Sequence, residues 1–577
     1  MPPKPPPPHQ TLLASEHGTL RKPWAGRIRV ALVYPNRYSV GMSNLGFQTV
    51  YRLLNALEGV VCERAFAPDA APSQNPPVVT LESGRPLKAF EVVAFSLSFE
   101  NDTPTVLSLL RRAGLPLYSE ERGSAHPLVM AGGVACFLNP EPLAPFIDLF
   151  MLGEAEEMLP AFFDAFDPSA DRRELLLRLA RNQPGLYVPA FYRARYHSDG
   201  SLEAFTPLAD VPPRIRRVFL PDLSQNATCS AVVTPHATFA RTYLIETGRG
   251  CPHGCRFCSA GYIYRPPRFR PLALLEESLR QGAAVTDRIG LVGAAVSDLP
   301  EITALCSGLR ETGVRISFSS LRADALTPEL IAILQQSKVK TATIAPDAGS
   351  ERMRRVINKG IDEASILAAA ETLVAAGIPN LKLYFMVGLP TETDADVAAI
   401  VTLCKRIKHH FLASSRSRGR IGELTVSLNS FVPKPATPFQ WAAMDEVKTL
   451  KAKIRQVTAG LQKVPNVRVH ADLPRWGFLQ ALLSRGDRRV AQLLAAAAES
   501  GWNWPQTFKQ SVLNPGFYVT RERPLEELLP WDFIDHGVRK EFLKAEYQRA
   551  LAARTSPDCP MDEACSRCGA CSRAPAV

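Results

Sequence analysis

Residues 249–261 read RGCPHGCRFCSAG, which places Cys251, Cys255 and Cys258 on one short stretch of a chain with twelve cysteines in all. Pro252 and Gly254 let such a segment turn back on itself, so that three thiols can point at one centre. Soft ligands in this pattern bind zinc or an iron–sulfur cluster. A structural zinc would want a fourth local ligand. His253 is inside the loop, but its short separation from the flanking cysteines suits zinc spacing poorly. Three occupied corners leave the fourth free for chemistry.

A second set closes the chain. DCPMDEACSRCGACSRAPAV carries Cys559, Cys565, Cys568 and Cys571 as C-x5-C-x2-C-x2-C. Four thiols on so short a segment can complete a site alone, and both a second four-iron four-sulfur cluster and structural zinc accept them. A redox dithiol or a plain exposed tail is the alternative. Cys62, Cys136, Cys229, Cys306 and Cys404 stand isolated and read as small buried hydrophobes.

The chain has 577 residues, 46% hydrophobic and 21% charged, enough for two or three cored domains. No uninterrupted apolar run reaches the ~18 to 20 residues of a membrane span, and MPPKPPPPHQ lacks a signal-peptide core. The expected location is therefore the cytoplasm, with no membrane partner, where clustered thiols more often serve metal or redox chemistry than disulfides. A net charge of +11 favours a polyanionic partner such as RNA. Its densest segment, CKRIKHHFLASSRSRGR at 404–420, reads as a solvated helix end and loop.

These ligands need elements to hold them. RIRVALVYP, FEVVAFSLSF, HPLVMAGG and DLFMLG are short apolar runs with helical stretches between them, the pattern of an open α/β domain over 25–165. A disordered proline-rich tail is expected over 1–24, and a linker subdomain with a β-hairpin around Ser198-Asp199-Gly200 over 166–235. TYLIETGRG, DRIGLVGAA, VRISFSSL, TATIAPDAGS, LKLYFMVGLP and ELTVSLNSFVP then give six strand–helix units, a partial barrel over 236–444 with its chemistry at the carboxyl ends of the strands. A helical region follows over 445–555 and a cysteine-rich tail over 556–577.

The CxxxCxxC loop, with Phe257 before its last cysteine, resembles the signature of the radical S-adenosylmethionine (SAM) superfamily. VGAAVSD at 292–298, APDAGSERMRRVINKG at 345–360, FMVGLPTET at 385–393 and SFVPKPATPFQW at 430–441 resemble that superfamily's second, fourth, fifth and sixth strand segments, in order. AGGVACFLNPEPL from 131 and FMLGEAEEMLP from 150 resemble the domain preceding the barrel in cobalamin-dependent radical SAM enzymes and in methylthiotransferases.

The resemblance implies a Rossmann-like, cobalamin-binding-like domain followed by a partial (β/α)6 barrel. Cys251, Cys255 and Cys258 would hold a four-iron four-sulfur cluster whose fourth iron chelates SAM, and a one-electron reductant such as a flavodoxin or ferredoxin would drive cleavage to a 5′-deoxyadenosyl radical. Phe257 would pack by the adenine, and Gly293 and Ser297 would contact the methionine moiety. Arg322, Asp347 and Lys382 would reach SAM or substrate, or serve as rim salt bridges. The usual Gly-Gly-Glu of the second strand is absent, as is the Asp-x-His-x-x-Gly loop that gives cobalt an imidazole; His126, the N-terminal domain's only histidine, reads as a loop residue. Cobalamin binding and a plain substrate-positioning scaffold both stay open for that domain. The function implied is methyl or sulfur-group transfer to RNA or another macromolecule. A small metabolite or peptide as substrate, or a non-catalytic metal- or RNA-binding protein, is the alternative.

Overall fold

Strand β1 (Ile28–Tyr34) is the spine of the N-terminal unit, because five of its seven residues are apolar or small enough to be fully covered on both faces. The computed structural model describes residues 8–69, 77–294, 296–310, 313–318, 321–415, 421–562 and 564–571. β1 joins β2 (Val60–Phe66), β3 (Val92–Ser96), β4 (Leu128–Gly132), β5 (Leu149–Met151) and β6 (Leu186–Tyr187) in one sheet, ordered β2-β1-β3-β4-β5-β6. All pairs are parallel except β5 with β6. This is the expected Rossmann-like unit, carried past residue 165 by its antiparallel edge strand β6. A hairpin of β7 (Tyr192–Tyr196) and β8 (Leu202–Pro207) follows, turning at Ser198–Gly200 as its pattern predicts.

β9 (Ile215–Arg216) leads into the barrel. Its strands are β10 (Tyr243–Glu246), β13 (Arg288–Val292), β14 (Arg315–Phe318), β15 (Thr341–Asp347), β16 (Asn380–Val387) and β17 (Leu424–Ser430), all parallel. A parallel bridge between Leu321 and Ile344 carries the sheet from the β14 side to β15. Between β10 and β13, β11 (Gly248–Arg249) and β12 (Arg268–Phe269) form a short antiparallel ribbon. A seventh parallel strand, β18 (Val467–Ala471), adds to β17 from beyond residue 444, after the helix Val447–Leu461, so the region expected to be helical also contributes a strand to the barrel sheet. β19 (Ile534–Asp535) returns to pair with β9.

The expected disorder over 1–24 is corrected for residues 8–24. Pro8–Ala14 is helical and Leu13 is buried. Glu16 reaches Arg64 at 2.7 Å with neither side chain exposed, and Glu82 holds the same guanidinium at 2.7 Å. A buried arginine needs its carboxylates, and that need outweighs the proline-rich composition, which ends at residue 8. Residues 1–7 lie outside the described residues. The isolated cysteines Cys62, Cys136, Cys229, Cys306 and Cys404 are buried and free, as expected. Among the described residues no helix is long and apolar enough to cross a membrane.

Glu16→Ala leaves Arg64 with one carboxylate in place of two. The expected cost is about 3 kcal/mol, in the range for breaking a buried ion pair, read as a lower urea midpoint, whereas a disordered segment would give no shift.

Candidate functional site

The cysteine loop is a closed excursion from the carboxyl end of β10. Its two stems are tied together by the ribbon β11–β12, Gly248 opposite Phe269 and Arg249 opposite Arg268. Gly250 starts the turn at φ +87°, where a Cβ would meet the Tyr264 carbonyl at 2.6 Å, so only glycine passes this point. Within the loop the Cys258 N–H donates to the Cys255 carbonyl at 3.0 Å, and the Tyr262 hydroxyl donates to the Gly254 carbonyl at 3.1 Å. Arg256 points away from the thiols. Its buried guanidinium donates to the Arg355, Val356 and Arg554 carbonyls at 2.8 to 3.1 Å and pairs with Glu546 at 3.1 Å. The loop is therefore fixed to the helix Glu351–Val356 and to the C-terminal region by this one side chain.

Cys255 is buried and Cys251 and Cys258 are half-buried. Burial, with the neighbouring thiols adding to it, pushes Cys251 up to about 12 and Cys255 to about 11, and burial raises Cys258 as well. Three thiolates cannot coexist here without a compensating cation, which a bound iron–sulfur cluster supplies on ligation. The donor set fits such a cluster: three soft ligands on one loop, with Lys359 and Arg322 both acting on Cys255 to favour its thiolate. Lys359 is itself anchored by Asp347 at 2.6 Å. Burial pulls the Lys359 ammonium down, but Asp347 and the Cys255 sulfur outweigh it and hold the lysine charged.

The structure thus brings Cys251, Cys255, Cys258, Arg322 and Asp347 to one place. Asp347 ends β15 with a φ of +62°, a strained backbone for a non-glycine residue, where the β15–β16 register also shifts. Arg322 forks onto Asp324 at 2.8 Å. Phe257 packs at the edge of a cluster formed by Tyr262, Met353 and Trp441. Gly293 lies at the carboxyl end of β13, where a Cβ would meet the Thr247 hydroxyl at 2.7 Å, and the half-buried Ser297 follows it on a short turn. Lys382 is not brought in. It is the third residue of β16, its ammonium lies over the Tyr384 ring at 4.7 Å, and five strand residues, about 17 Å, separate it from the strand's carboxyl end. Its sequence neighbourhood reads as strand but does not tell which end faces the mouth.

His253 is clasped on both sides, Nε2 by Asp298 and Nδ1 by Asp558, each at 2.8 Å. Burial lowers its pKa, but the two carboxylates more than offset this and lift it to about 9. Neither ring nitrogen is left for a metal, which agrees with the poor zinc spacing. His126 is a loop residue whose Nδ1 accepts the Gly123 N–H at 3.2 Å.

Sequence reasoning missed the charges that join the two halves. Glu154 of the N-terminal domain pairs with Arg249 at 2.7 Å, Arg268 at 2.8 Å and Arg217 at 3.4 Å, and Glu156 pairs with Arg249 at 2.5 Å. Arg249 and Arg268 are the facing stems of the cysteine loop. Burial would raise the Glu154 carboxyl, but the arginines outweigh it and hold it at about 2. The only signal in the sequence was GEAEEM itself, which by composition is an ordinary helix start.

Beside these stems lies a cavity of about 460 Å³. The carboxyl ends of β3, β4 and β5 line one side with Ser96, Gly133 and Met151; Gly250, Tyr264 and Gly293 line the other. Gly133, at φ +106°, brings the β4 turn so close to Leu97 that a Cβ would meet the Leu97 carbonyl at 2.4 Å. Two parallel sheets therefore aim their carboxyl ends at one mostly apolar space, the usual place for a ligand in such folds.

Comparison with known proteins agrees. Residues 245–404 match the model of the radical SAM superfamily, and residues 46–189 match that of the N-terminal domain of radical SAM proteins. An uncharacterized protein of Methanocaldococcus jannaschii is 31% identical over 468 residues, 81% of this chain and 90% of the relative. The chain belongs to the radical SAM superfamily. A tRNA-2-methylthio-N(6)-dimethylallyladenosine synthase of Chloroherpeton thalassium is 25% identical over 194 residues, 31% of this chain and 43% of that enzyme. Among solved structures, the radical SAM methyltransferase TsrM from Kitasatospora setae aligns over 82% of this chain and 99% of its own at 14% identity, with a TM-score of 0.47.

This radical SAM enzyme therefore works with a four-iron four-sulfur cluster and SAM. When bound, they supply one electron and the 5′-deoxyadenosyl radical. The protein's own share is to hold the cysteine loop rigid, keep Lys359 and Arg322 charged beside it, and shield the space between the two sheets.

Glu154→Gln leaves the buried stem arginines short of charge, with an expected loss of about 3 to 5 kcal/mol and a lower iron content after reconstitution. Because the folded pKa, about 2, lies below the ordinary glutamate value of 4.5, the stabilisation from Glu154 is fully present above pH 4.5 and is lost as pH falls towards 2. Thermal melts of wild type between pH 6 and pH 3 should steepen in pH dependence below 4.5, and those of the variant should steepen less.

Proposed function

We propose that this radical SAM enzyme transfers a methyl group onto an unactivated carbon of RNA or another macromolecule in the cytoplasm. The observation that carries the reading is the shared cavity, which opens on the cysteine loop and Gly293 at one end and on the N-terminal sheet at the other. In this reading Cys251, Cys255 and Cys258 ligate the cluster, Phe257 packs by the adenine, and Gly293 and Ser297 contact the methionine moiety. Arg322, with the Asp347–Lys359 pair, fixes the polar rim.

Cobalamin, when bound, would supply a methyl carrier at the N-terminal end of the cavity. Ser96, Ser98, Gly132, Gly133 and Met151 are the residues that would hold it. Among the described residues the cavity lining includes no histidine, so cobalt there would have no imidazole from these residues. Support for RNA comes from the net charge of +11 and from the likeness to a tRNA-modifying enzyme. Sulfur transfer is the weaker reading, because Cys559, Cys565, Cys568 and Cys571 are not among the residues that line the cavity.

The test is anaerobic turnover of the reconstituted enzyme with hydroxocobalamin and SAM carrying a ¹³C-labelled methyl group, against total RNA and against a small-molecule extract. A methyl-labelled nucleoside is expected. Label in a sulfur-bearing nucleoside would turn the reading to methylthio transfer, and label only in the small-molecule fraction would remove RNA. Filling the cavity with Ala94→Trp should cut cobalamin uptake, followed by its visible spectrum, by about tenfold or more while iron content stays near wild type.

A further inference from the structure

The cysteine tail folds back onto the catalytic loop. The Cys559 N–H donates to the Pro252 carbonyl at 2.8 Å, and Pro252 is the residue after Cys251. Asp558 holds His253 at 2.8 Å, the Ser556 N–H donates to the Asn358 side chain at 2.8 Å, and that same asparagine donates to the Gly254 carbonyl at 3.2 Å. One hydrogen bond and one peptide unit put the Cys559 and Cys251 Cα atoms within about 9 Å of each other.

Cys571 lies within electrostatic reach of Cys559, Cys565 and Cys568, and Arg265, which sits on the cysteine loop, contacts Cys568. Their burial is graded. Cys559, against the catalytic loop, and Cys568 are buried, whereas Cys565 and Cys571 are half-exposed. Cys565, Cys568 and Cys571 have the C-x2-C-x2-C spacing of bacterial ferredoxin ligands. Hydrogen bonds also tie the tail to the domain: Arg539 donates its N–H to the Cys568 carbonyl at 2.9 Å and its guanidinium to the Ser566 carbonyl at 2.7 Å.

We propose that Cys559, Cys565, Cys568 and Cys571 hold a second four-iron four-sulfur cluster that is the electron-entry port of the enzyme. A low-potential one-electron donor of the flavodoxin or ferredoxin class reduces this cluster from its 2+ to its 1+ state at the half-exposed side. The electron then passes across the Cys559–Pro252 contact to the catalytic cluster, which goes from 2+ to 1+ as the port returns to 2+. No proton or atom moves, and the donor is oxidised by one electron. Arg539 and Arg567 at the rim and Arg265 beneath it supply positive charge that suits both the reduced cluster and an acidic donor surface. The port meets the loop at residues 252–254, and the cavity meets it at residues 248–250 and 260–264, so electron entry and substrate need not share a route.

The test uses the full-length reconstituted holoenzyme without substrate, so it stands apart from the methyl-transfer reading. Wild type should hold about eight irons and no zinc, and the Cys565→Ala/Cys568→Ala variant about four. Each is reduced in turn by photoreduced flavodoxin and by dithionite, and the paramagnetic signal of the catalytic cluster is followed by freeze-quench spectroscopy. The ratio of flavodoxin-driven to dithionite-driven rate should fall at least about tenfold in the variant. Cys571→Ser, at the half-exposed edge, should shift the second cluster's signal and lower the same ratio even if the double variant fails to fold. Zinc in the wild-type tail, four irons in wild type, or an unchanged ratio in a variant that has lost the second cluster would each overturn the proposal.

Discussion

The Glu154 carboxylate is where the two halves of the molecule meet. It leaves the N-terminal sheet just after β5 and enters a nest of Arg217, Arg249 and Arg268, each buried or nearly so. An ion pair taken out of water is costly to break, because whichever partner remains is left charged in a poor solvent. The network therefore does more to fix geometry than to add net stability. It holds the two stems of the cysteine loop at a set distance from the carboxyl ends of β3, β4 and β5, and so sets the width of the cavity between them.

The loop in turn obeys a simple electrostatic constraint. Its thiols are too buried to ionise on their own, yet they must ionise to bind iron. The fold answers with cations that do not compete as ligands. Lys359 is tied to Asp347, Arg322 to Asp324, and His253 to Asp298 and Asp558. Each carries its own counter-ion, so the loop is not overcharged.

Arg256 shows the same economy on the other face of the loop. A guanidinium with no exposure spends its donors on carbonyls of two separate segments and on Glu546, which links the cysteine loop, the helix Glu351–Val356 and the C-terminal region. The C-terminal chain is thereby brought alongside residues 252–254 rather than left free, and the tail cysteines follow from that placement.

Much of this was legible in the sequence. Cys251, Cys255 and Cys258 declare themselves because ligand chemistry depends on residue type and short spacing, which a linear chain displays directly. The alternating strands and helices declare an α/β architecture for the same reason, since backbone periodicity is local. What the tertiary structure alone decided are the long-range electrostatic partners and the direction of each strand end. Glu154 and Arg249 are 95 residues apart, and nothing in GEAEEM marks its partner. Asp347 and Lys382 both read as polar residues near barrel strands, yet one lies at the mouth and the other well below it. Residues 8–24 looked too rich in proline and polar groups to fold, and they fold because a buried Arg64, 48 residues on from Glu16, needs its charge met. Composition and spacing report what a segment can bind or form by itself; which charge it must answer depends on distances that exist only once the chain is folded.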